Sequence, residues 1–152
     1  MPQRVSKVSD VLEAKTSAVH WIKPAETLAK ASQQLQRERI GVLIVSDDGQ
    51  TVKGIISERD LAYGLSLHKA ELHALPVSAL MTTKVVTCSP DSLLADAVRI
   101  MAEKHIRHLP VIDADKLVGI IGMRDAVIFR LQDVQRTARL MSSAIAADLP
   151  LD

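Results

Sequence analysis

The chain repeats itself once, with a period of roughly 66 residues. The stretch IGVLIVSDDGQTVKGIISERDL (residues 40–61) aligns with IRHLPVIDADKLVGIIGMRDAV (residues 106–127) when a gap of one residue is allowed. Identical residues recur along the alignment, among them the pairs Ile40/Ile106, Leu43/Leu109, Gly54/Gly119, Arg59/Arg124 and Asp60/Asp125. Such a tandem duplication constrains the fold strongly, because both halves must form the same unit and bury matching faces.

Each half shows the same order of predicted elements. A short strand precedes a helix that begins at a proline, residues 24–39 in the first half and 90–104 in the second, with an apolar stripe along one face. Two apolar strands follow, and a second helix begins directly after them. The paired strands are predicted at residues 42–46 and 52–57, and at 108–112 and 117–122. The sequence therefore predicts an α+β fold of two β-α-β-β-α units, residues 7–70 and 75–134, with a C-terminal helical tail at 135–152.

Composition excludes several classes of protein. The 152 residues carry a net charge of +1 and only 2% aromatic side chains, which argues against a nucleic-acid partner, because neutralisation of phosphates dominates such binding. No apolar run approaches the roughly 20 residues that span a bilayer. Cys88 is the single cysteine, so an intrachain disulfide is impossible and a reducing compartment fits. The sequence predicts a cytoplasmic protein that binds neither nucleic acid nor membrane.

Two polar corners interrupt the apolar pattern where the last strand of each half meets its helix. Ser57 and Asp60 have the spacing of a capping box, so one interpretation is a helix start and nothing more. The second corner has Gly122 in place of the serine, yet Arg124 and Asp125 are retained. A carboxylate beside a helix N-terminus can also accept hydrogen bonds from both hydroxyls of a ribose, and the N-terminus suits the attached phosphate. The retained acid favours this second interpretation.

The segments KGIISERDLAYGL, RHLPVID and VGIIGMRDAV, spaced as they are in a doubled β-α-β-β-α unit, resemble the CBS domain pair, also called a Bateman module. The resemblance covers about residues 7–134. It implies two repeats packed sheet to sheet with pseudo-two-fold symmetry and two related clefts. Many members bind AMP, ADP, ATP, NAD or S-adenosylmethionine there, so an adenine nucleotide is the expected ligand, with no required cofactor and no metal.

The resemblance also implies which residues line the clefts. The family's [ST]-x-x-D pattern matches Ser57 and Asp60 fully and Asp125 in part, and each cleft is completed by the first strand of the other repeat, residues 82–87 or 16–22. The predicted ligand-binding residues are Thr16, His20, Ile40, Gly41, Ser57, Arg59, Asp60, Lys84, Val85, Arg107, His108, Pro110, Arg124 and Asp125. The expected phosphate partners among them are Arg59, Lys84, Arg107, His108 and Arg124, and ordinary surface cations are the alternative.

Three functional classes can be compared on this basis. An enzyme would need an acid and a base, or an activated nucleophile, converging on one pocket, and the sequence offers no such set. His105 and His108 lack further metal-ligating neighbours, and Cys88 lies in an apolar strand. A regulatory module that senses adenosine ligands and signals to a partner is therefore predicted, and a structural dimerisation module with empty clefts is the alternative. Apolar helices after both corners also predict a homodimer.

Overall fold

The structure is a computed structural model, and it describes residues 4–15 and 18–148. The first half contains helix α1 (Val8–Ala14), strand β1 (Trp21–Ile22), helix α2 (Leu28–Glu38), strands β2 (Val42–Val45) and β3 (Gly54–Ser57), and helix α3 (Glu58–His68). Short 3₁₀ helices at Lys69–Ala74 and Val77–Ala79 connect the halves. The second half contains helix α4 (Leu94–Lys104), strands β4 (His108–Asp113) and β5 (Lys116–Gly122), and helix α5 (Met123–Ala147).

The strands form one small sheet in each half. In the first, β1 lies parallel to β2, and β2 pairs antiparallel with β3, so that Val42 lies opposite Ser57. In the second, β4 pairs antiparallel with β5, and His108 lies opposite Gly122. The predicted strand at residues 82–87 is reduced to one isolated bridge at Thr82 and a second at Cys88, one residue beyond its end. Cys88 exchanges two backbone hydrogen bonds with β4, of 2.8 and 3.0 Å, which hold the segment in place without a continuous ladder.

The helices α2 and α4 begin at Leu28 and Leu94, later than the prolines from which the sequence analysis started them. In α2 the reason is a cap: the hydroxyl of Thr27 accepts a 3.2 Å hydrogen bond from the backbone N–H of Lys30. The predicted apolar stripes are correct. Each points into a core, and the buried side chains are Leu28, Ala31 and Leu35 in α2 and Leu94, Ala97 and Met101 in α4.

The segment that precedes each repeat is buried in the hydrophobic core of the other repeat, and in this sense the two cores are crossed. Val8 and Val11 of α1 are buried with α4, β4 and β5 of the second half. Val77, which precedes the second half, is buried in the core of the first. Backbone hydrogen bonds fix both exchanges: Val8 donates to the carbonyl of Ser92 (2.9 Å), and Val77 donates to that of Glu26 (2.8 Å).

Two repeated glycines make the crossing possible. A Cβ added at Gly119 would lie 2.8 Å from Leu12 of α1, and one added at Gly54 would lie 2.8 Å from the sulfur of Met81. Leu12 and Met81 therefore occupy equivalent positions, each pressed against the last strand of the opposite repeat. This contact repeats the pseudo-two-fold relation that the duplication predicts.

Helix α5 continues without interruption through residue 134, so the described part of the predicted tail, up to residue 147, extends the helix of the second repeat. Its outer surface carries apolar side chains that are more than two-fifths exposed: Val127, Ile128, Leu131, Val134, Leu140, Met141 and Ile145. No helix in residues 4–15 and 18–148 is both long enough and apolar enough to cross a membrane.

Candidate ligand-binding cleft

A cleft of about 540 Å³ lies beside the junction of β3 and α3. Both halves of the chain build its walls, because β2, β3 and the start of α3 face the segments 82–86 and 105–108 of the second half. The residues that line it are Gly41, Val42, Ile55, Ser57, Glu58, Arg59, Asp60, Ala62, Thr82, Lys84, Val85, Val86, His105, Ile106, Arg107 and His108. Apolar and charged side chains are mixed along these walls, as in sites for amphipathic small molecules.

Asp60 is held at the first corner by a complete capping box. Its Oδ2 accepts hydrogen bonds from the backbone N–H of Ser57 (2.8 Å) and from the Ser57 hydroxyl (2.9 Å), and that hydroxyl accepts from the N–H of Asp60 (3.2 Å). Within the described residues these bonds use only Oδ2, which leaves Oδ1 for a ligand. The carboxylate is thus fixed in orientation and still has acceptor capacity.

The charged groups around Asp60 come from both repeats. Arg59 reaches across the cleft and donates a 3.1 Å hydrogen bond to the carbonyl of His105, at the end of α4. Lys84 and Arg107 are exposed on the opposite wall. Glu58 adds an acid that the sequence analysis missed, although it stands between two predicted residues, and its backbone N–H donates to the carbonyl of Gly41 (3.0 Å).

His108 lies between the two corners. A Cβ added at Gly41 would be 3.7 Å from the ring carbon Cε1, and one added at Gly122 would be 3.4 Å from Cδ2. Burial lowers the pKa of His108, and the positive charges of Lys15 and Arg107 lower it further, against the opposing effect of Asp125 and Glu58. The imidazole is therefore neutral at pH 7, with one nitrogen that donates and one that accepts a hydrogen bond.

The second corner is built differently. Asp125 Oδ2 accepts a 3.0 Å hydrogen bond from the backbone N–H of Gly122, which matches the bond at the first corner. Where the first corner has a serine hydroxyl, however, the second has the ammonium group of Lys15, 3.0 Å from Asp125 Oδ2. Lys15 was not predicted from the sequence, because only the crossing of α1 into the second half brings it there.

Most of the predicted site residues meet in the first cleft, namely Gly41, Ser57, Arg59, Asp60, Lys84, Val85, Arg107 and His108. The others lie elsewhere. Arg124 and Asp125 belong to the second corner, Ile40 packs against the first core, and Thr16 lies outside the described residues.

Two further predicted residues have contacts of their own. The ring nitrogen Nδ1 of His20 is 3.9 Å from a carboxylate oxygen of Glu38. Pro110 is fully buried, and its carbonyl accepts a hydrogen bond from the N–H of Cys88 (3.0 Å). Thr82 and Val86 also line the first cleft, and they belong to the segment 82–87 that was predicted to complete it. His105 and Ile106 line it without having been predicted, although they directly precede the predicted residue Arg107.

The fold and its doubled corner have counterparts among known proteins. The model of the CBS domain family matches residues 8–66 and 77–131. The chain belongs to the CBS domain family. The predicted fold class, tandem β-α-β-β-α CBS repeats in a mixed helix and strand architecture, is therefore confirmed.

Three CBS proteins illustrate the similarity. The crystal structure of ATU1752 from Agrobacterium tumefaciens is 33% identical, with a TM-score of 0.79, over 82% of this chain and 99% of that one. A structure of CBSX2 in complex with AMP is 31% identical, with a TM-score of 0.69, over 83% and 96% of the two chains. The CBS domain-containing protein YhcV of Bacillus subtilis is 29% identical over 126 residues, which are 83% of this chain and 89% of YhcV.

Proposed function

We propose that this CBS pair is a regulatory module that binds an adenosine-containing ligand in the Asp60 cleft and passes its occupancy to a partner protein. The observation that carries the proposal is the placement of Asp60, held through one carboxylate oxygen, in a 540 Å³ cleft whose opposite wall presents Lys84 and Arg107. A cleft of this size lies within the usual range for small-molecule sites, roughly 300–1,000 Å³. The AMP complex of the related CBSX2 supports the ligand class.

Each part of an adenosine nucleotide has a matching group in this cleft. The vicinal hydroxyls of ribose donate to Asp60 Oδ1, in charge-assisted hydrogen bonds. The apolar side chains of Ile55, Val85 and Ile106 offer the adenine ring a surface on which to pack. Lys84 and Arg107 then lie where phosphate oxygens can accept from them.

Arg59 offers a route by which occupancy changes the module. Its hydrogen bond to the carbonyl of His105 ties the first corner to the end of α4 in the other repeat. A phosphate in the cleft competes for the same guanidinium group. Binding would then replace the hydrogen bond between the repeats with one to the ligand. The end of α4 would lose its contact with the first repeat.

Regulation is proposed instead of catalysis, and the protonated thiol of Cys88 is consistent with that proposal. Burial raises the pKa of the Cys88 thiol to about 11, so the thiolate that a nucleophile requires is scarce at neutral pH. A cytoplasmic location, the absence of a nucleic-acid partner and independence of any required cofactor stay predictions of the sequence.

The test is calorimetric titration of AMP into the parent protein and into Asp60→Ala. Loss of the ribose contacts should weaken binding about 10- to 100-fold, since hydrogen bonds to charged groups contribute on the order of 1.5–3 kcal/mol. 2′-Deoxy-AMP should bind the parent protein more weakly than AMP. Glu103→Ala, an exposed acid on α4 outside the cleft, is the matched control and should bind AMP normally. Equal AMP affinity in the parent and Asp60→Ala proteins would contradict the proposal.

A structural dimerisation module with empty clefts is the second candidate, favoured by the exposed apolar surface of α5. Thermal unfolding with AMP, ADP, ATP, NAD and S-adenosylmethionine separates the two. A ligand at 100 times its dissociation constant stabilises the folded state by about 2.7 kcal/mol. If none of the five raises the melting temperature of a dimeric protein, the structural role replaces the regulatory one.

A further inference from the structure

Helix α5 changes its surroundings part-way along its length. In its first half one face packs on the second repeat, where Ala126 is buried and Phe129 lies against the core. Every residue in the range 138–148, in contrast, is exposed, so this part of the helix forms an arm that the rest of the chain does not cover. Isolated helices shorter than about 12–15 residues are only marginally stable in water. Within one chain the arm therefore lacks the packing that usually stabilises a helix.

The apolar side chains on the outer surface of α5 include a row with the spacing of a coiled coil. Its members are four, three, four, three and four residues apart, as the a and d positions of a heptad are. The row, termed here the α5 seam, consists of Val127, Leu131, Val134, Ala138, Met141 and Ile145, and all six are exposed. The core-facing residues Ala126 and Phe129 fall at positions c and f. The fold thus leaves the seam open to another helix along its whole length.

Two charged residues continue the same spacing at the ends of the α5 seam. Arg124 lies three residues before Val127, at an a position, and Asp148 lies three residues after Ile145, at a d position. Both are exposed. Opposite charges at the two ends make the seam complementary to itself when it is turned end to end.

The end charges select the orientation of a pair of α5 helices. With a two-fold axis at the level of residue 136, antiparallel helices bring each a position opposite a d position, and Arg124 of one copy lies opposite Asp148 of the other. The apolar positions then face each other as 127 with 145, 131 with 141, and 134 with 138. In a parallel pair Arg124 would face Arg124 and Asp148 would face Asp148, and like charges across an interface oppose association.

The residues that flank the seam are compatible with the antiparallel pair. Among the e and g positions in the range 128–144, only Arg130 is charged. In the antiparallel alignment it lies beside Ala144 of the second copy, one turn from the end of that helix, where a cation interacts favourably with the helix dipole. No like charges meet across the seam.

We propose that α5 forms an antiparallel two-stranded coiled coil with α5 of a second copy of the chain, joined along the α5 seam and closed at both ends by ion pairs between Arg124 and Asp148. The arm of each copy then lies along the half of α5 that the body of the other copy supports. Each copy supplies the packing that the arm of the other lacks. The inference is independent of ligand binding.

Sedimentation of the parent protein and two variants tests the seam. Val134→Glu places a charge in the middle of the seam and should weaken dimerisation about 100-fold or more, because each dimer would bury two uncompensated carboxylates. Leu140→Glu is the matched control: Leu140 is 66% exposed and Val134 is 55% exposed, but Leu140 lies off the seam, so its variant should dimerise normally. Thermal melting verifies that both variants fold. A monomeric parent protein, or a Val134→Glu dimer as tight as the parent, overturns the proposal.

A charge exchange tests the contacts at the ends. Arg124→Asp and Asp148→Arg each place like charges at both ends of an antiparallel pair, and each should weaken dimerisation about tenfold at low salt. The double variant restores opposite charges and should regain the affinity of the parent protein. If the single variants dimerise as tightly as the parent, or the double variant is no tighter than either of them, the ion pairs are overturned.

Cysteine cross-linking measures the orientation directly, in the Cys88→Ser background. Leu131→Cys mixed with Met141→Cys should form a disulfide-linked dimer, because the two positions face each other. Leu131→Cys alone should not cross-link, since the antiparallel alignment separates its two copies by about 15 Å along the helix axis. A cross-linked dimer of Leu131→Cys alone would indicate parallel helices and overturn the proposal. None of these experiments uses a ligand, so their failure is distinguishable from failure of the proposed function.

Discussion

His108 connects the two corners through its position, because one edge of its ring faces Gly41 and the other faces Gly122. The charges around it come from the residue after α1, from the residue before β4 and from both corners, namely Lys15, Arg107, Glu58 and Asp125. Burial and the two cations prevail over the two acids, and they lower the pKa of the imidazole. A change in charge at either corner should therefore shift the pKa of His108.

The depressed pKa of His108 predicts how stability depends on pH. The unfolded chain binds a proton near pH 6.5, whereas the folded imidazole resists it, so the free energy of unfolding should fall as pH decreases below about 6.5. Urea unfolding between about pH 5 and pH 8 measures this. His108→Gln should reduce the dependence, and His73→Gln, at an exposed position, should not. An identical pH profile for the parent and His108→Gln proteins would contradict the assignment.

Among the elements, α1 and the segment that follows the 3₁₀ helix Val77–Ala79 have matching roles. Leu12 of α1 lies against Gly119, and Met81 lies against Gly54, each glycine being on a β-strand of the other half. The surroundings of the two glycines differ in one respect. The three atoms nearest to a Cβ at Gly119 all belong to the side chain of Leu12, whose methyl groups can move. A Cβ at Gly54 would also lie 2.9 Å from the backbone carbonyl oxygen of Thr82, which is fixed by pairing with Ile55.

We therefore expect Gly54→Ala to destabilise the protein by about 1–3 kcal/mol, as overpacking of a filled interior usually does. Gly119→Ala should cost less, because a leucine side chain yields more readily than a backbone. Chemical denaturation of the two variants beside the parent protein gives both values. A larger loss of stability in Gly119→Ala than in Gly54→Ala would contradict this predicted difference between the two glycine sites.

The duplication and the apolar periodicity predicted the elements well, because the stripes of α2 and α4 and the corner acids are local patterns in the sequence. The corner at Ser57 was predictable for the same reason. The roles of Lys15 and Glu58 at the corners were not predicted. Lys15 reaches Asp125 only because α1 crosses to the other half, a contact over a separation of 110 residues that no local pattern encodes. Residues 82–87 were predicted as a strand, yet only Thr82 at the start of the segment and Cys88 just beyond it form bridges.

The outer surface of α5 is apolar although it faces solvent. Ile145 is 67% exposed and Leu140 is 66% exposed, and on α3 Leu67 is 74% exposed. Exposed apolar side chains that recur along a helix usually mark an interface. The helices that follow the two corners therefore present a surface suited to a second copy of the chain.

We predict a homodimer formed through these helices, in keeping with the two-fold symmetry most common among oligomers. Light scattering at micromolar concentration should give about twice the chain mass of 16.6 kDa. Truncation after Val134 should weaken the dimer and leave AMP binding intact, because the lost part of α5 contributes nothing to the Asp60 cleft. The mass of a single chain for the untruncated protein would refute the prediction.

The crossed cores also determine the order in which the protein can be completed during translation. The first core can close soon after Val77 emerges, since its other members come earlier in the chain. The second core needs Val8 and Val11, which are made long before Leu94 and Ala126. The apolar face of helix α1 therefore stays exposed to solvent until most of the chain has been synthesised. Its docking closes a long loop, a step that slows folding and leaves the nascent chain open to aggregation or to chaperone binding until the second repeat has emerged.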